Sequence, residues 1–391
     1  MRLLCIFAVL LPAFAIACIN DRDTLAFEKR NVNALEAIER QPDPNLRRKA
    51  VEELVLRAIG GRFERYPAKY YEMRIARLLK KATLTPPEYD DLAVAYDRIG
   101  KIDEAIKAIL KSKNLRQTEA HKYSFHANYG TFLVHRWIAA GHKDSDVKTL
   151  KESIQEIKMA LKINPNSHFG RENVQLALEE SWLPENREKQ FYESVGRIDE
   201  EKLAIGTAGI IMMGLGYELP DTYLILNEII LSETGTTSEF AGVRFTDLVS
   251  AGHTSILPIK IPAATERQIR RTMTKEAADR LIAKQNADLQ KARVQASRSD
   301  EYSALIEDGE RVHTDRTSYM IARLNLGKHP DTHADFWNEW HEPEYPVLRP
   351  DPNSARSKSS TTVLLPIFAV LASIVVGGFF LVRRILRSKP V

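Results

Sequence analysis

Residues 86–119 constrain the fold more than any other part of this chain. Apolar and small residues recur there at the spacing of a helix–turn–helix repeat of about 34 residues. Tyr89 and Tyr96 share one face of the first helix with the small Ala93, and Gly100 follows where a left-handed turn residue is favoured. A single helical pair cannot bury its apolar face alone, so the pattern predicts neighbouring pairs and an all-α fold.

The residues at these offsets resemble the tetratricopeptide repeat family. The residues that carry the resemblance are Tyr89, Leu92, Ala93, Tyr96, Gly100, Ala105 and Ile109. The resemblance implies a solenoid of helical hairpins, in which Ala105 lets the second helix approach the first and Ile109 fills the space between them. It also implies a scaffold that binds proteins or peptides in a groove, and not an enzyme.

A second repeat is predicted over residues 124–166. Its matching residues are Tyr129, Gly130, Leu133, Ser153, Ile157, Ala160 and Pro165. Ala93 and Ala105 are 12 positions apart in the first repeat, whereas Gly130 and Ser153 are 23 positions apart. The additional residues, around 140–147, are therefore expected to extend the first helix or the turn.

The resemblance implies where a partner binds. First helices line the groove in this family, and polar side chains that helix packing leaves free are expected to contact the partner. The predicted partner-binding residues are Asp90, Asp97, Asn128 and Thr131.

The remaining helical regions follow from composition and spacing. The repeat domain is predicted over residues 45–257, followed by a helical extension over 258–342 whose last short helix spans 316–326. The uncharged, Gly-rich segment 203–217 is short for a membrane span and is interpreted as a buried helix with tight neighbours.

Both ends of the chain predict export and membrane anchoring. Residues 1–17 have one early charge, an apolar run and a small-residue ending, which is the layout of a secretory signal peptide. Residues 363–382 carry no charge and are long enough to span a membrane, and the basic tail 383–391 is typical of the cytoplasmic side. The expectation is a single-pass bacterial envelope protein with a periplasmic or extracellular ectodomain.

Two short regions connect these parts. Residues 18–44 are interpreted as a docking segment or a loose leader, and residues 343–362 as a Pro/Ser-rich stalk. The only cysteines are Cys5, within the predicted signal peptide, and Cys18, so the mature chain is expected to form no internal disulfide. Cys18 resembles the lipid-modified cysteine of bacterial lipoproteins, and an incidental free thiol is the alternative.

The sequence gives little indication of catalysis. It contains no HExxH motif, phosphate-binding glycine loop or nucleophile-elbow serine, and no cofactor is predicted. The balance of 56 basic and 52 acidic residues, without a basic tract interleaved with aromatics, argues against a nucleic-acid partner.

Two alternative functions remain open. One is a membrane-bound, metal-dependent hydrolase that uses His329, His333 and His341 with neighbouring carboxylates, although Pro330 predicts that His329 lies in a turn. The other is a sorted surface protein whose C-terminal helix and basic tail are removed by a processing enzyme.

Overall fold

The computed structural model describes residues 20–26, 38, 40–116, 118–165, 167–186, 198–213, 216–229, 235–257, 269–294 and 299–344. These residues form helices, short 3-10 turns and connecting loops, with no β-strand among them, which confirms the predicted all-α class. Within the same ranges, no helix is both long and apolar enough to cross a membrane.

The chain divides into two compact units, Met1–Glu342 and Pro343–Val391. Only the first two residues of the second unit are described. The predicted signal peptide, Cys18, most of the stalk, the predicted span and the basic tail therefore lie outside the described residues, and these predictions stay predictions.

The first unit is built from α-helices that follow one another along the chain. In chain order they are α1 (Pro44–Ile59), α2 (Ala68–Leu78), α3 (Pro86–Arg98), α4 (Ile102–Lys111), α5 (Glu119–Ala139), α6 (Val147–Ile163), α7 (Arg171–Trp182), α8 (Glu200–Met213), α9 (Pro220–Ile229), α10 (Gly235–Ser250), α11 (Lys275–Val294) and α12 (Asp300–Asn325). Residues 22–26 form one additional helical turn.

Helices α3 and α4 form a hairpin at the best-matched repeat. Thr85 and Glu88 make a capping box at the start of α3, where two of the otherwise unpaired backbone N–H groups find acceptors. Gly100 adopts a positive φ of 74° between the helices, a conformation that glycine reaches without steric cost. Ala105 and Ile109 of α4 are fully buried in the core with Leu92 and Ala93 of α3, whereas Tyr89 and Tyr96 are only partly buried.

Helices α5 and α6 form the second, stretched hairpin. Helix α5 has 21 residues against 13 in α3, and a 3-10 turn at Asp144–Asp146 precedes α6, so the extra residues lengthen both the helix and the connection. A Cβ added to Gly130 would lie 2.8 Å from Cδ1 of Ile157, which shows how closely the two helices approach. Leu133, Ser153, Ile157 and Ala160 are buried, Tyr129 is partly buried and Pro165 is exposed.

Successive helices from α2 to α10 pack on one another, and helices distant in sequence complete the unit. Helix α1 packs on α8, α10 and α12, and α12 also contacts α2. Helix α12 is 26 residues long, so the prediction of a short helix over 316–326 was wrong. Its length lets it reach both α1 and α2.

Helix α8 contains most of the Gly-rich segment 203–217 and is buried, as predicted. A Cβ on Gly206 would lie 2.6 Å from Cγ2 of Val174 on α7 and 3.2 Å from the carbonyl oxygen of Gly170. Glycine is therefore required at this position for the close packing of α8 on α7.

Candidate functional site

The four predicted partner-binding residues lie together on α3 and α5, but helix packing does not leave them free. Asp90 and Asp97 of α3 are 5% and 2% exposed, and Asn128 and Thr131 of α5 are fully buried. The expectation that their side chains are available to a partner was wrong, because groups of the same chain already occupy each of them.

Asp90 is held by the loop that follows α4. Arg116 donates to both carboxylate oxygens of Asp90, at 3.1 and 2.6 Å, and Ser124 Oγ donates at 3.0 Å. Burial raises the pKa of Asp90, and the paired Arg116 opposes that shift. The carboxylate also accepts from Asn128 Nδ2 at 3.1 Å, so it fixes the orientation of the Asn128 amide.

Asn128 holds the main chain of a segment 108 residues away. Its Oδ1 accepts from the backbone N–H of Asn20 at 2.6 Å, and its Nδ2 donates to the backbone oxygen of Asn20 at 2.9 Å. We call residues 20–26 the docking segment. Because both contacts are to backbone atoms, they do not depend on the side chain of residue 20.

Asp91 holds the next part of the docking segment. One carboxylate oxygen accepts from the backbone N–H of Arg22 at 3.0 Å, and the other accepts from Nε of Arg22 at 2.7 Å. The Arg22 guanidinium also lies 3.4 Å from Asp331. A basic side chain at this position is therefore placed between two carboxylates.

Arg74 of α2 joins the docking segment to the loop after α12. This fully buried guanidinium donates to Asp23 at 2.8 and 3.1 Å and to Asp331 at 2.9 and 2.8 Å, and lies 3.4 Å from Asp21. Tyr70 Oη donates to Asp23 at 2.7 Å. We call Arg74, Asp91, Asn128 and Asp331 the docking surface.

The carboxylates of this cluster are not equivalent. Burial and the neighbouring Asp23 and Asp91 raise the pKa of Asp21 to about 7, although Arg74 opposes the shift. Burial would also raise the pKa of Asp331, but hydrogen bonds and charge from Arg74, with further charge from Arg22, hold it well below its usual range. The charged form of Asp331 is thus stabilised, whereas the charged form of Asp21 is disfavoured.

A second buried polar cluster lies deeper, between α3, α5, α6 and α7. Asp97 Oδ1 lies 2.7 Å from Nδ1 of His135, and both side chains are fully enclosed. Gln175 Nε2 donates to Thr131 Oγ1 at 3.3 Å and to Glu179 Oε1 at 2.7 Å. Asp97 and Thr131 therefore serve contacts between helices.

The surroundings of Glu179 favour its protonated, neutral form. Ser153 Oγ lies 2.7 Å from the carbonyl oxygen of Gly130 and 2.7 Å from Glu179 Oε2. A hydroxyl has one proton and a carbonyl oxygen only accepts, so both contacts are satisfied together when protonated Glu179 donates to Ser153. Burial raises the pKa of Glu179 to about 8, in agreement with this geometry.

We expect Glu179→Gln to reduce the loss of stability that occurs as pH rises from about 4.5 to about 8. The folded-state pKa lies above the unfolded value, so the stabilising contribution is complete below about pH 4.5 and is lost as pH rises through about 8. The limiting slope for one such group is about 1.4 kcal/mol per pH unit. Thermal melts from pH 5 to 9 should show a shallower decline for the variant, because its amide donates to Ser153 at every pH.

The matched control is Glu180→Gln, since Glu180 is the next residue, is partly exposed and pairs with Lys158. Its melting curve should follow the wild-type pH profile. Parallel profiles for Glu179→Gln and the wild type would contradict a neutral Glu179.

The proposed histidine metal site is not formed. His329 Nδ1 accepts from the backbone N–H of Asp331 at 3.1 Å, and its Nε2 lies 3.0 Å from the backbone oxygen of Tyr70, so both ring nitrogens are used. His333 Nδ1 faces the backbone N–H of His329 at 3.3 Å. Within the described residues, no group of three His, Cys, Asp or Glu side chains is placed to hold a metal ion. As predicted, His329 lies outside any helix.

Sequence reasoning missed most of the docking surface. Arg74 lies on an apolar helix face, where its charge gave no indication of three acidic partners, and the sequence pattern gave no indication of a role for Asp91. One signal was present: the run Asn20-Asp21-Arg22-Asp23 alternates charge in the region interpreted as a docking segment or a loose leader. Residues 20–26 do dock, whereas most of residues 27–39 lies outside the described ranges.

Comparison of the chain with protein-family models, curated proteins and solved structures gave no match.

Proposed function

We propose that this protein is a helical scaffold that binds an extended polypeptide segment of a partner on the docking surface. One observation carries the proposal: the Asn128 side chain pairs with both the N–H and the C=O of a residue 108 positions away in sequence. Paired main-chain contacts of this kind bind a peptide backbone, and pockets or charges beside them select side chains. The tetratricopeptide-like spacing of 86–119 and 124–166 supports the same class of function.

The proposal includes the location. Residues 1–17 direct export, residues 363–382 anchor the chain in the bacterial cell membrane, and the binding domain lies on the periplasmic or extracellular side. The support is the charge and apolar pattern of the two ends. Protease added to intact cells or spheroplasts should digest nearly the whole chain. Protection of a large C-terminal fragment that starts near Tyr217 would contradict this topology, because it would show that the Gly-rich segment 203–217 spans the membrane.

Crosslinking in the native membrane, followed by identification of captured proteins, tests the scaffold function. The decisive variant is Asn128→Leu, which has a similar branched shape but lacks the amide oxygen and nitrogen that contact Asn20. We expect partners that the wild type captures to be lost, because the main-chain contacts cannot form.

The matched control is Asn114→Leu, the same change at an exposed position after α4. It should capture the wild-type set of partners. Circular dichroism would establish that both variants remain folded. Capture of the full wild-type set by folded Asn128→Leu would show that the docking surface is not the binding site.

A further inference from the structure

We propose that the docking segment is an internal ligand that a partner displaces, and that the partner segment carries a basic residue followed by an acidic residue. This inference rests on the proposed function and names its ligand chemistry. The docking segment and the partner would compete for Asn128, Asp91, Arg74 and Asp331.

The contacts divide into two kinds. Those to the main chain involve the N–H and C=O of Asn20 and the N–H of Arg22, which any residue except proline supplies. They bind the backbone at positions 20 and 22 and do not select for the side chains there. Another polypeptide can therefore make the same contacts.

The side-chain contacts define which polypeptide fits. Arg22 lies against Asp91 and Asp331, and Asp23 lies against Arg74 and the Tyr70 hydroxyl. The docking surface thus places carboxylates opposite residue 22 of the bound segment and a guanidinium opposite residue 23. A bound segment needs the complementary order, a basic residue and then an acidic one.

The docking segment itself is an imperfect ligand. Nδ2 of Asn20 has no hydrogen-bond partner although the residue is only 5% exposed, and an unpaired buried donor disfavours the docked state. Asp21 is buried beside Asp23 and Asp91, with its nearest guanidinium nitrogen on Arg74 at 3.4 Å. A partner segment without the unpaired donor and without the buried carboxylate would bind more tightly than the docking segment does.

The segment also has an accessible edge. The Arg22 side chain is 39% exposed, whereas Asp91 beneath it is only 3% exposed. A partner can therefore approach at Arg22 without prior opening of the helical core. Release of residues 20–23 would uncover a surface that is already shaped by α2, α3 and α5.

Fluorescence anisotropy with a labelled peptide of residues 20–26 and the full-length protein tests this competition. Arg22→Glu in the protein places a third carboxylate against Asp91 and Asp331 and should release the docking segment. If the surface is free in only about a tenth of wild-type molecules, its release raises peptide affinity about tenfold. Asn128→Leu should abolish binding, alone or combined with Arg22→Glu.

Two controls make the result specific. Arg271→Glu is the same charge change at an exposed residue distant in sequence, and it should leave peptide affinity at the wild-type value. A peptide that itself carries Arg22→Glu should bind none of the proteins. A peptide with Asn20→Ala and Asp21→Asn should bind Arg22→Glu protein at least about fivefold more tightly than the parent peptide, since it removes the unpaired donor and the disfavoured charge.

The outcomes separate this inference from the proposed function. If Arg22→Glu lowers the melting temperature without raising peptide affinity, the docking segment is structural and the competition is overturned, while the Asn128→Leu crosslinking result stands independently. A wild-type dimer that Arg22→Glu converts to a monomer would assign the segment to a second copy and also overturn the internal ligand. If Asn128→Leu changes neither peptide binding nor partner capture, both proposals fail.

Discussion

Arg74→Met is expected to lower the free energy of unfolding by about 3–5 kcal/mol, the range for removal of one member of a buried ion pair. The side chain is fully buried, and Asp21, Asp23 and Asp331 all lie within 3.4 Å of its nitrogen atoms. Methionine fills a similar length but leaves these carboxylates without their shared cation. Urea denaturation of the full-length protein measures the change.

The matched control is Arg77→Met, one helical turn further along α2. Arg77 contacts Asp331 but is 27% exposed, so its loss should cost less than about 1 kcal/mol. Trypsin gives a second readout, because release of the docking segment should accelerate cleavage after Arg22 in Arg74→Met but not in Arg77→Met. Destabilisation by Arg74→Met that does not exceed that of Arg77→Met would show that the buried guanidinium contributes no more than the partly exposed one.

Gly309→Ala should destabilise the protein by about 3 kcal/mol or more, the upper range for overpacking a close contact. A Cβ at residue 309 would lie 1.7 Å from the backbone oxygen of Gly60 and 2.8 Å from its carbonyl carbon. Both are backbone atoms, so α12 must move away from the turn after α1. Thermal melting of the variant measures the effect.

Gly209→Ala is the control, because Gly209 also lies within a helix but has its nearest outside neighbour, Cδ of Arg171, at 3.8 Å. The added methyl group fits there, and the gain in helix propensity should stabilise the protein by about 0.5–1 kcal/mol. The two substitutions should therefore shift the melting temperature in opposite directions. Shifts of the same sign and size would indicate that α12 does not pack on Gly60 as described.

Movement of α12 also bears on the docking surface, because the chain leaves this helix and reaches Asp331 within six residues of Asn325. The partly buried ion pair between Arg62 and Asp308 lies next to Gly309 and stabilises the same contact. The Gly309 variant should consequently show faster tryptic cleavage after Arg22, whereas the Gly209 variant should not.

Local structure was predictable where neighbouring residues decide it. Apolar residues recur at helical spacing over 45–59 and are followed by Gly60-Gly61, a typical helix stop, and α1 ends directly before that pair. The turn at Gly100 was placed correctly, because only one residue type adopts its φ freely. Aromatic residues at helical spacing are typical of a core, and Tyr70 and Tyr71 are 1% and 6% exposed.

The candidate site was predictable only in part. Asp90, Asp97, Asn128 and Thr131 do share one region of α3 and α5, as repeat spacing implied, but their accessibility was predicted wrongly. Helical periodicity shows which face of a helix is apolar. It does not show whether a polar side chain is buried against a polar group from a distant part of the sequence.

By itself, the sequence determined the elements whose causes are local: an all-α chain, the α3–α4 hairpin, the glycine turns and the buried α8. Only the tertiary structure determined which groups the buried polar and charged side chains contact. Arg74 meets Asp331 across 257 positions and Asn128 meets Asn20 across 108. The physical reason is that burial of a charge is tolerated only beside its partner, and the partner's position depends on how distant helices pack.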